Sequence, residues 1–274
     1  MSNPYNDLHI YYIKGRVRDR DAESRFDSSF LGNWQEEGVS FLFFDRPADE
    51  QVKDLIESDR RLELADRYNM SYADWHGGEI VPFSTDRFVV TPPWVDNPAQ
   101  EGSFKLSVNP GVVFGAGTHT TTRFCLEAVE VACEKGAPET AMDLGTGTGL
   151  LGLAAAALGC RKVLAVDSSF LAVRTARENI KQNGFDSRVL AVQADARQLV
   201  ECPADLLIAN IHFDVMRHLV VSPAFYEKKW FVLSGLLRSQ ARYVEEVFRY
   251  GPARLVQRWT EDGIWYTFLA ATGG

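Results

Sequence analysis

From residue 100 onward the apolar positions alternate between two spacings. Helical periodicity runs over 118–134, a short apolar strand follows at 140–144, and glycines then lead into an Ala-rich helix over 150–158. Next come a strand at 162–166, a helix over 172–183, and strands at 188–193, 205–210 and 230–234. A helix over 236–250 is followed by strands at 253–259 and 264–270, which Glu261-Asp262-Gly263 joins as a hairpin. Strands that alternate with helices predict an α/β fold, a parallel sheet covered on both faces, here with an antiparallel edge.

Before residue 100 the pattern changes. Residues 8–13 and 39–44 are rich in β-branched and aromatic side chains and read as strands. Asp45-Arg46-Pro47 supplies a turn, and 49–58 has helical spacing with Val52, Leu55 and Ile56 on one face. Between the two strands, 16–30 is charged and has no apolar stripe. Residues 71–100 hold Gly77-Gly78, Pro82, Pro92-Pro93 and Pro98, a density that argues against regular structure and for a connector with some strands, such as 88–91. Trp75 and Trp94 in this connector are expected to pack it onto a domain rather than to bind a ligand. The expected organisation is an N-terminal α+β domain over 1–70 for substrate recognition, a linker over 71–100, and a catalytic domain over 101–274.

Composition narrows the function classes. The chain has 274 residues, 46% hydrophobic and 24% charged, with a formal net charge of -8. Net acidity makes direct nucleic-acid binding a poor candidate, because that affinity comes from clustered Lys and Arg. The first residues lack a basic segment followed by an apolar run, and no apolar stretch approaches the roughly 20 residues needed to cross a bilayer. The expectation is a soluble cytoplasmic protein without a membrane. Cys125, Cys133, Cys160 and Cys202 form no C-x-x-C pair and read as free thiols. The five histidines are scattered, so no metal site is expected.

The strongest local signal is Asp143-Leu144-Gly145-Thr146-Gly147-Thr148-Gly149, between a strand and a helix. Glycines permit the tight turn and let a ligand touch the backbone, and free N–H groups at a helix start favour an anionic group. A dinucleotide fingerprint starting at Gly145 needs glycine where Leu150 stands, and no G-K-[ST] follows for a phosphate loop. The next strand ends in Asp167, where nucleotide-binding sheets place an acid to accept both ribose hydroxyls; a helix-capping Asp is the bland alternative. Asn210 closes a strand at the carboxyl edge of the sheet, where open α/β sheets bind ligands.

Two further segments sharpen this. Asn109-Pro110-Gly111-Val112-Val113-Phe114-Gly115-Ala116-Gly117-Thr118-His119-Thr120-Thr121-Thr122 lies upstream and Ala209-Asn210-Ile211 downstream. With the D-x-G-x-G-x-G loop, they resemble the ribosomal protein L11 methyltransferase family, over roughly residues 72–274. The resemblance implies a seven-stranded, Rossmann-like class I methyltransferase fold, S-adenosylmethionine as cofactor, and a protein amine as acceptor, with a large-subunit ribosomal protein as the leading substrate. It implies cofactor contacts from Phe114, Gly115, Thr118, Thr122, Asp143, Gly145, Gly147, Gly149, Asp167, Asp195 and Asn210. Gly145 would meet the methionine end and Asp167 the ribose; Asp195 and the N–H of Ala196 would read the adenine, with a turn Asp as the alternative. Asn210 would lie beside the transferred methyl group and the amine, as the catalytic residue, under a lid formed by 114–119. Thr118, Thr120, Thr121 and Thr122 stand at a helix start, where at least one hydroxyl is expected to cap it.

The segment departs from the family pattern at Val113, Ala116 and Thr120. His119 reads as a loop histidine ahead of a base, and His212 as an equal choice between tuning the acceptor site and spectating. The N-terminal part matches the family poorly. The alternatives are a methyltransferase of the same fold acting on another protein or a small molecule, and a non-catalytic cofactor-binding scaffold. A nicotinamide-dependent oxidoreductase is disfavoured by Leu150.

Overall fold

Three sheets organise the residues described by the computed structural model, 3–97 and 102–273. The N-terminal layer runs β1 (Asp7–Lys14), α1 (Asp19–Arg25), β2 (Phe30–Glu36), β3 (Val39–Phe44), α2 (Asp49–Ser58) and β4 (Glu63–Ser71). Its strands pair antiparallel in the order β2-β3-β1-β4. One face, with Tyr11, Ile13, Leu42 and Phe44, packs on Ala22 of α1 and Val52 and Leu55 of α2. The other, with Leu8, Ile10 and Phe43, packs on Val112, Val113, Leu171 and Ala172 of the larger unit.

Both faces of this sheet are therefore partly covered, which is why 41–44 reads as an unbroken apolar run. The edge strands β2 and β4 are mostly half-buried or exposed and carry polar residues, so neither shows an apolar alternation. The stretch over 16–30 contains α1 after all; Ala22 is its one buried residue, and seven residues are too few for a stripe.

The span 71–97 is more regular than its glycines and prolines suggest. It holds α3 (Tyr72–His76), β5 (Phe83–Ser84) and β6 (Phe88–Thr91), and β7 (Phe104–Ser107) completes a sheet of order β5-β6-β7. Ser71 caps α3 by accepting from Asp74 N–H at 3.0 Å, and Gly77 ends it in the left-handed region. Gly77-Gly78 is thus a helix stop rather than a sign of irregular chain. Phe83, Phe88, Val90 and Leu106 pack into the core of the large unit. Trp75 packs against Phe43, and Trp94 meets Tyr5 edge-on, as expected of packing residues. Pro98 lies outside the described residues.

The large unit continues α4 (Thr120–Gly136), β8 (Thr140–Leu144), α5 (Leu150–Ala157), β9 (Lys162–Asp167), α6 (Phe170–Gln182), β10 (Val189–Gln193), β11 (Leu206–Asn210), α7 (Phe213–Leu219), β12 (Trp230–Leu237), α8 (Arg238–Tyr250), β13 (Ala253–Glu261) and β14 (Trp265–Thr272). The sheet order is β10-β9-β8-β11-β12-β14-β13, parallel except for β14. This is the seven-stranded α/β sheet that the sequence implied. In β8 and β11 every residue from Ala141 to Leu144 and from Leu206 to Ala209 is buried, as central parallel strands require. β12 runs to Leu237, three residues past the expected end, because Gly235 (φ 79°) bulges and lets pairing with β14 resume at Leu236.

Among the described residues no helix is long and apolar enough to cross a membrane. All four cysteines are free.

Candidate active site

The chain leaves β8 toward β9 and β10, then returns at β11 and proceeds to β12 on the other side. A crevice opens at the carboxyl ends of β8 and β11, where the winding reverses. It holds a cavity of about 400 Å³ lined by Phe114, Gly145, Gly147, Asp167, Asp195 and Asn210 from the expected set. A smaller space of about 20 Å³ lies behind it, bounded by Gly115, Thr122, Gly145 and Asn210. Thr118 faces an adjoining cavity with Trp34 and Trp75 instead. Asp143 and Gly149 line none of these; they support the loop from behind.

The glycine loop is shaped by close approaches. Gly145, Gly147 and Gly149 all have positive φ, at 71°, 53° and 85°. A Cβ on Gly145 would lie 2.2 Å from Ile211 Cγ2, and one on Gly147 2.4 Å from the Phe114 carbonyl oxygen. Only glycine allows these neighbours and this backbone together.

The N–H groups of Gly145 to Gly149, ahead of the helix start, are all engaged. Gly145 N and Thr146 N donate to Val166 O, Thr148 N to Phe114 O, and Gly149 N to Thr146 O. Gly147 N donates to Asp167 Oδ2 at 3.0 Å. The loop spends its donors on holding β9 and the lid, so it offers no phosphate cradle. The helix start alone could not reveal this, because the acceptors come from residues distant in sequence.

Asp143 is fully buried. Its Oδ2 accepts from Thr146 Oγ1 at 2.6 Å and Gly152 N at 3.0 Å, while Oδ1 has no partner. Burial pushes its carboxyl up to about 6; those two hydrogen bonds oppose the rise, and the nearby charge of Asp167 adds to it.

Asp167 is not the cap of the next helix, which Ser169 provides by accepting from Ala172 N–H. Its Oδ1 accepts from Ser169 N at 2.9 Å and its Oδ2 from Gly147 N. Burial raises its pKa and these amides lower it. Each oxygen keeps a second lone pair, so a vicinal diol still finds two acceptors held in a fixed plane.

Asp195 is committed differently. Arg197 donates to it from Nε at 3.0 Å, and this pairing holds its carboxyl below the usual carboxylate range. Ala194 and Ala196 complete that wall of the cavity.

The lid over 111–119 is docked on the glycine loop. Thr148 Oγ1 donates to Gly115 O at 2.9 Å, and Phe114, about half exposed, stands over the cavity. Gly117 (φ 87°) lies against the Phe83 ring. The lid's base is gripped by α3: Tyr72 Oη donates to Gly111 O at 2.7 Å and Trp75 Nε1 to Val112 O at 3.1 Å.

The cap of α4 corrects another expectation. It is the His119 ring, which accepts from Thr121 N, and no threonine hydroxyl takes that role. Helix α4 therefore begins at Thr120, not at 118. Thr120 Oγ1 instead donates to Glu261 at 2.5 Å, and Thr122 Oγ1 is buried with no partner. Burial lowers the His119 pKa and Glu261 opposes that. His212 is exposed, caps α7, and lines the cavity rim.

Sequence reasoning missed Trp34, Val113, Ile211 and Val215, which supply apolar wall. Trp34 comes from the N-terminal sheet, and no local pattern could place it over a crevice formed by β8 and β11.

The arrangement fits S-adenosylmethionine on its own terms. The volume suits a ligand of that size. Asp167 presents acceptors for a sugar diol, a charged Asp143 behind the loop favours a cation, and Thr122, whose buried hydroxyl has no partner, borders the small inner space.

Residues 49–272 match the family described as ribosomal protein L11 methyltransferase. The protein of that name from Desulforamulus reducens is 33% identical over 190 residues, 69% of this chain and 61% of the relative. That from Pelotomaculum thermopropionicum is 37% identical over 186 residues, 67% of this chain and 59% of the relative. The chain thus spans about three-fifths of the length of these curated relatives. The crystal structure of a ribosomal protein L11 methylase from Lactobacillus delbrueckii subsp. bulgaricus superposes with a TM-score of 0.57 at 24% identity, covering 69% of this chain and 96% of that one. That likeness shows the class I methyltransferase fold.

Proposed function

The chain belongs to the ribosomal protein L11 methyltransferase family, and on that premise we propose that it transfers a methyl group from S-adenosylmethionine to an amine of a protein. The observation that carries this reading is the crevice itself, in which Asp167 beside a glycine loop without free amides faces Asn210 across one cavity. A pyrophosphate-bridged cofactor would need the amides that the loop has already committed.

In this reading Asp167 holds the ribose, Gly145 and Gly147 let the methionine end approach the backbone, and Thr122 gives that end a hydroxyl partner. Phe114, Gly115 and Thr118 close the lid over it. Asp143 and Gly149 act from behind, by charge and by shape. The wall of Ala194, Asp195 and Ala196 takes the adenine; with its carboxylate paired to Arg197, Asp195 has fewer lone pairs left for the exocyclic amine than its position alone implies. When bound, the cofactor supplies a methyl carbon activated by a positive sulfur, which needs no Lewis acid.

The chain's own task is orientation and exclusion of water. Asn210 offers a side-chain oxygen to an incoming amine N–H, which aims the lone pair. A free lysine amine has a pKa of roughly 10.4, and a dry apolar cavity brings it down by disfavouring the charged form. Trp34, Val113, Phe114 and Ile211 provide that dryness.

Ribosomal protein L11 is the leading acceptor, which would place the enzyme in the cytoplasm, with residues 1–70 as the recognition domain. One observation favours a second acceptor class. The family match begins at residue 49, whereas β1, β2 and β3 all precede it and Trp34 reaches the cavity. Most of the part that would choose the substrate, residues 1–48, thus lies outside the match, and another protein or a small molecule is the alternative. The test is methyl transfer from tritiated S-adenosylmethionine, first to recombinant ribosomal protein L11 and then to a whole-cell lysate. Thermal stabilisation by S-adenosylmethionine or S-adenosylhomocysteine and none by NAD supports the reading; stabilisation by NAD alone overturns it.

A further inference from the structure

The lid, the start of α4 and the end of β11 meet through three side chains. His119 Nδ1 lies 2.8 Å from Thr121 Oγ1 and also accepts from Thr121 N–H at 3.3 Å. Asn210 Nδ2 donates to the same Thr121 Oγ1 at 3.4 Å. Thr121 is buried, so its hydroxyl has few other partners to choose from.

A hydroxyl carries one proton. If that proton points at His119 Nδ1, the Thr121 oxygen is left as an acceptor, and only the NH₂ side of Asn210 can satisfy it. The amide is then fixed with its carbonyl oxygen as the free atom. Gly235 lies beside that oxygen, so close that a Cβ would stand 3.2 Å from Asn210 Oδ1. Reversing the hydroxyl reverses the amide. An NH₂ group turned toward the cleft would donate to the amine's lone pair and occupy the electrons needed for attack.

We propose that His119 and Thr121 are positioning residues that set the orientation of the Asn210 amide, so that the cleft receives a carbonyl acceptor and not a donor. This rests on the methyl-transfer reading above. The relay works only while His119 Nδ1 is an acceptor, with the ring proton on Nε2. The surroundings are arranged around that form. Phe114 of the lid and Trp265 of β14 pack on the ring, at centroid distances of 5.7 and 5.0 Å. Glu261 of β13 faces it and favours protonation, but Thr120 Oγ1 engages that carboxylate. The positive start of α4 opposes a second proton on the ring. Arg123, one turn along α4, turns to Gly117 O at 3.2 Å and to the Phe83 ring. From β11 the ring meets an uncharged relay ending in Asn210.

A simple helix cap explains the Thr121 N–H bond but predicts nothing about Asn210. Thr121→Val separates the two roles, because it keeps the side-chain shape and leaves the His119 cap. For tritiated methyl transfer to recombinant ribosomal protein L11, it is expected to lower kcat by about tenfold, the worth of one buried hydrogen bond, with S-adenosylmethionine affinity within about twofold of the parent. Thr121→Ser is expected to restore kcat. Unchanged kcat in Thr121→Val, or an equal loss of kcat and cofactor affinity, overturns the relay. A second readout needs no acceptor protein. The side-chain NH₂ resonance of Asn210, assigned by its loss in Asn210→Ala, should shift in Thr121→Val, and the ring nitrogens of His119 should report the Nε2–H tautomer at neutral pH. An unmoved Asn210 resonance, or an Nδ1–H tautomer, rejects the proposal even if methyl transfer is observed. Absence of any transfer by the parent chain speaks against the proposed function and leaves these spectra to decide the relay.

Discussion

Asparagine in place of Asp143 exchanges a buried charge for a neutral amide of nearly the same shape. The carboxyl sits at about 6 in the folded chain against an ordinary 3.8, chiefly because it is buried. A raised pKa means that the folded state holds the proton more tightly than the unfolded state does. Its contribution to stability is therefore fully present below about 3.8 and is lost as pH rises through about 6. The difference amounts to on the order of 3 kcal/mol once the group is ionised. For a chain of this length that corresponds to roughly 6–12 °C in Tm. The substitution keeps an oxygen for Thr146 and Gly152 and puts the NH₂ group where Oδ1 has no partner, so any cost it adds is independent of pH. Melting curves of the ligand-free protein across the range of pH should show the variant gaining on the parent between about 4 and 6 and holding a constant margin above that. Parallel curves for the two proteins would refute the buried-charge argument. The same variant should bind S-adenosylmethionine more weakly, because the negative charge behind the loop is gone; calorimetry well above the parent's pKa measures this.

Asp167→Ala is expected to cost about 100-fold in S-adenosylmethionine affinity, since two acceptors for the ribose go at once, and an unaltered calorimetric titration would dismiss its role. Asn210→Ala should reduce turnover by roughly 100-fold while cofactor affinity changes little, and equal methylation rates would remove it from the reaction. Gly117→Ala forces a left-handed backbone on alanine and drives its Cβ to 1.9 Å from the Phe83 ring. It should destabilise the lid by about 2 kcal/mol, read as a lowered Tm and faster proteolysis near 114–119; an unchanged protease pattern would show that the lid tolerates it.

The alternating pattern after residue 100 was enough to predict the parallel sheet, because buried central strands such as 141–144 and 206–209 must be apolar throughout. The glycine loop, Asp167 and Asn210 were visible because turn chemistry and strand ends are local. The smaller unit was only half legible. Its edge strands keep water on their outer sides, so β4, with Asp66, Arg67 and Asn69, looks like a loop until β1 is placed beside it. The hydrogen-bonding state of the glycine loop was hidden for a similar reason: its acceptors are Val166, Asp167 and Phe114, brought in by tertiary contacts. His119 as a cap also escaped the threonine-rich pattern, since a ring nitrogen can replace a hydroxyl only once its tautomer is set by its neighbours.

The lid has both ends tied to different bodies. Tyr72 and Trp75 hold the carbonyls of Gly111 and Val112 from the side of the small sheet, while His119 fastens the other end to the helix that leads into the large one. Six residues, 113–118, span the distance between those anchors. Because Thr148 N already holds the Phe114 carbonyl, a tilt of the N-terminal layer would be felt first at Val113, the single residue between the carbonyls gripped by Trp75 and by the glycine loop.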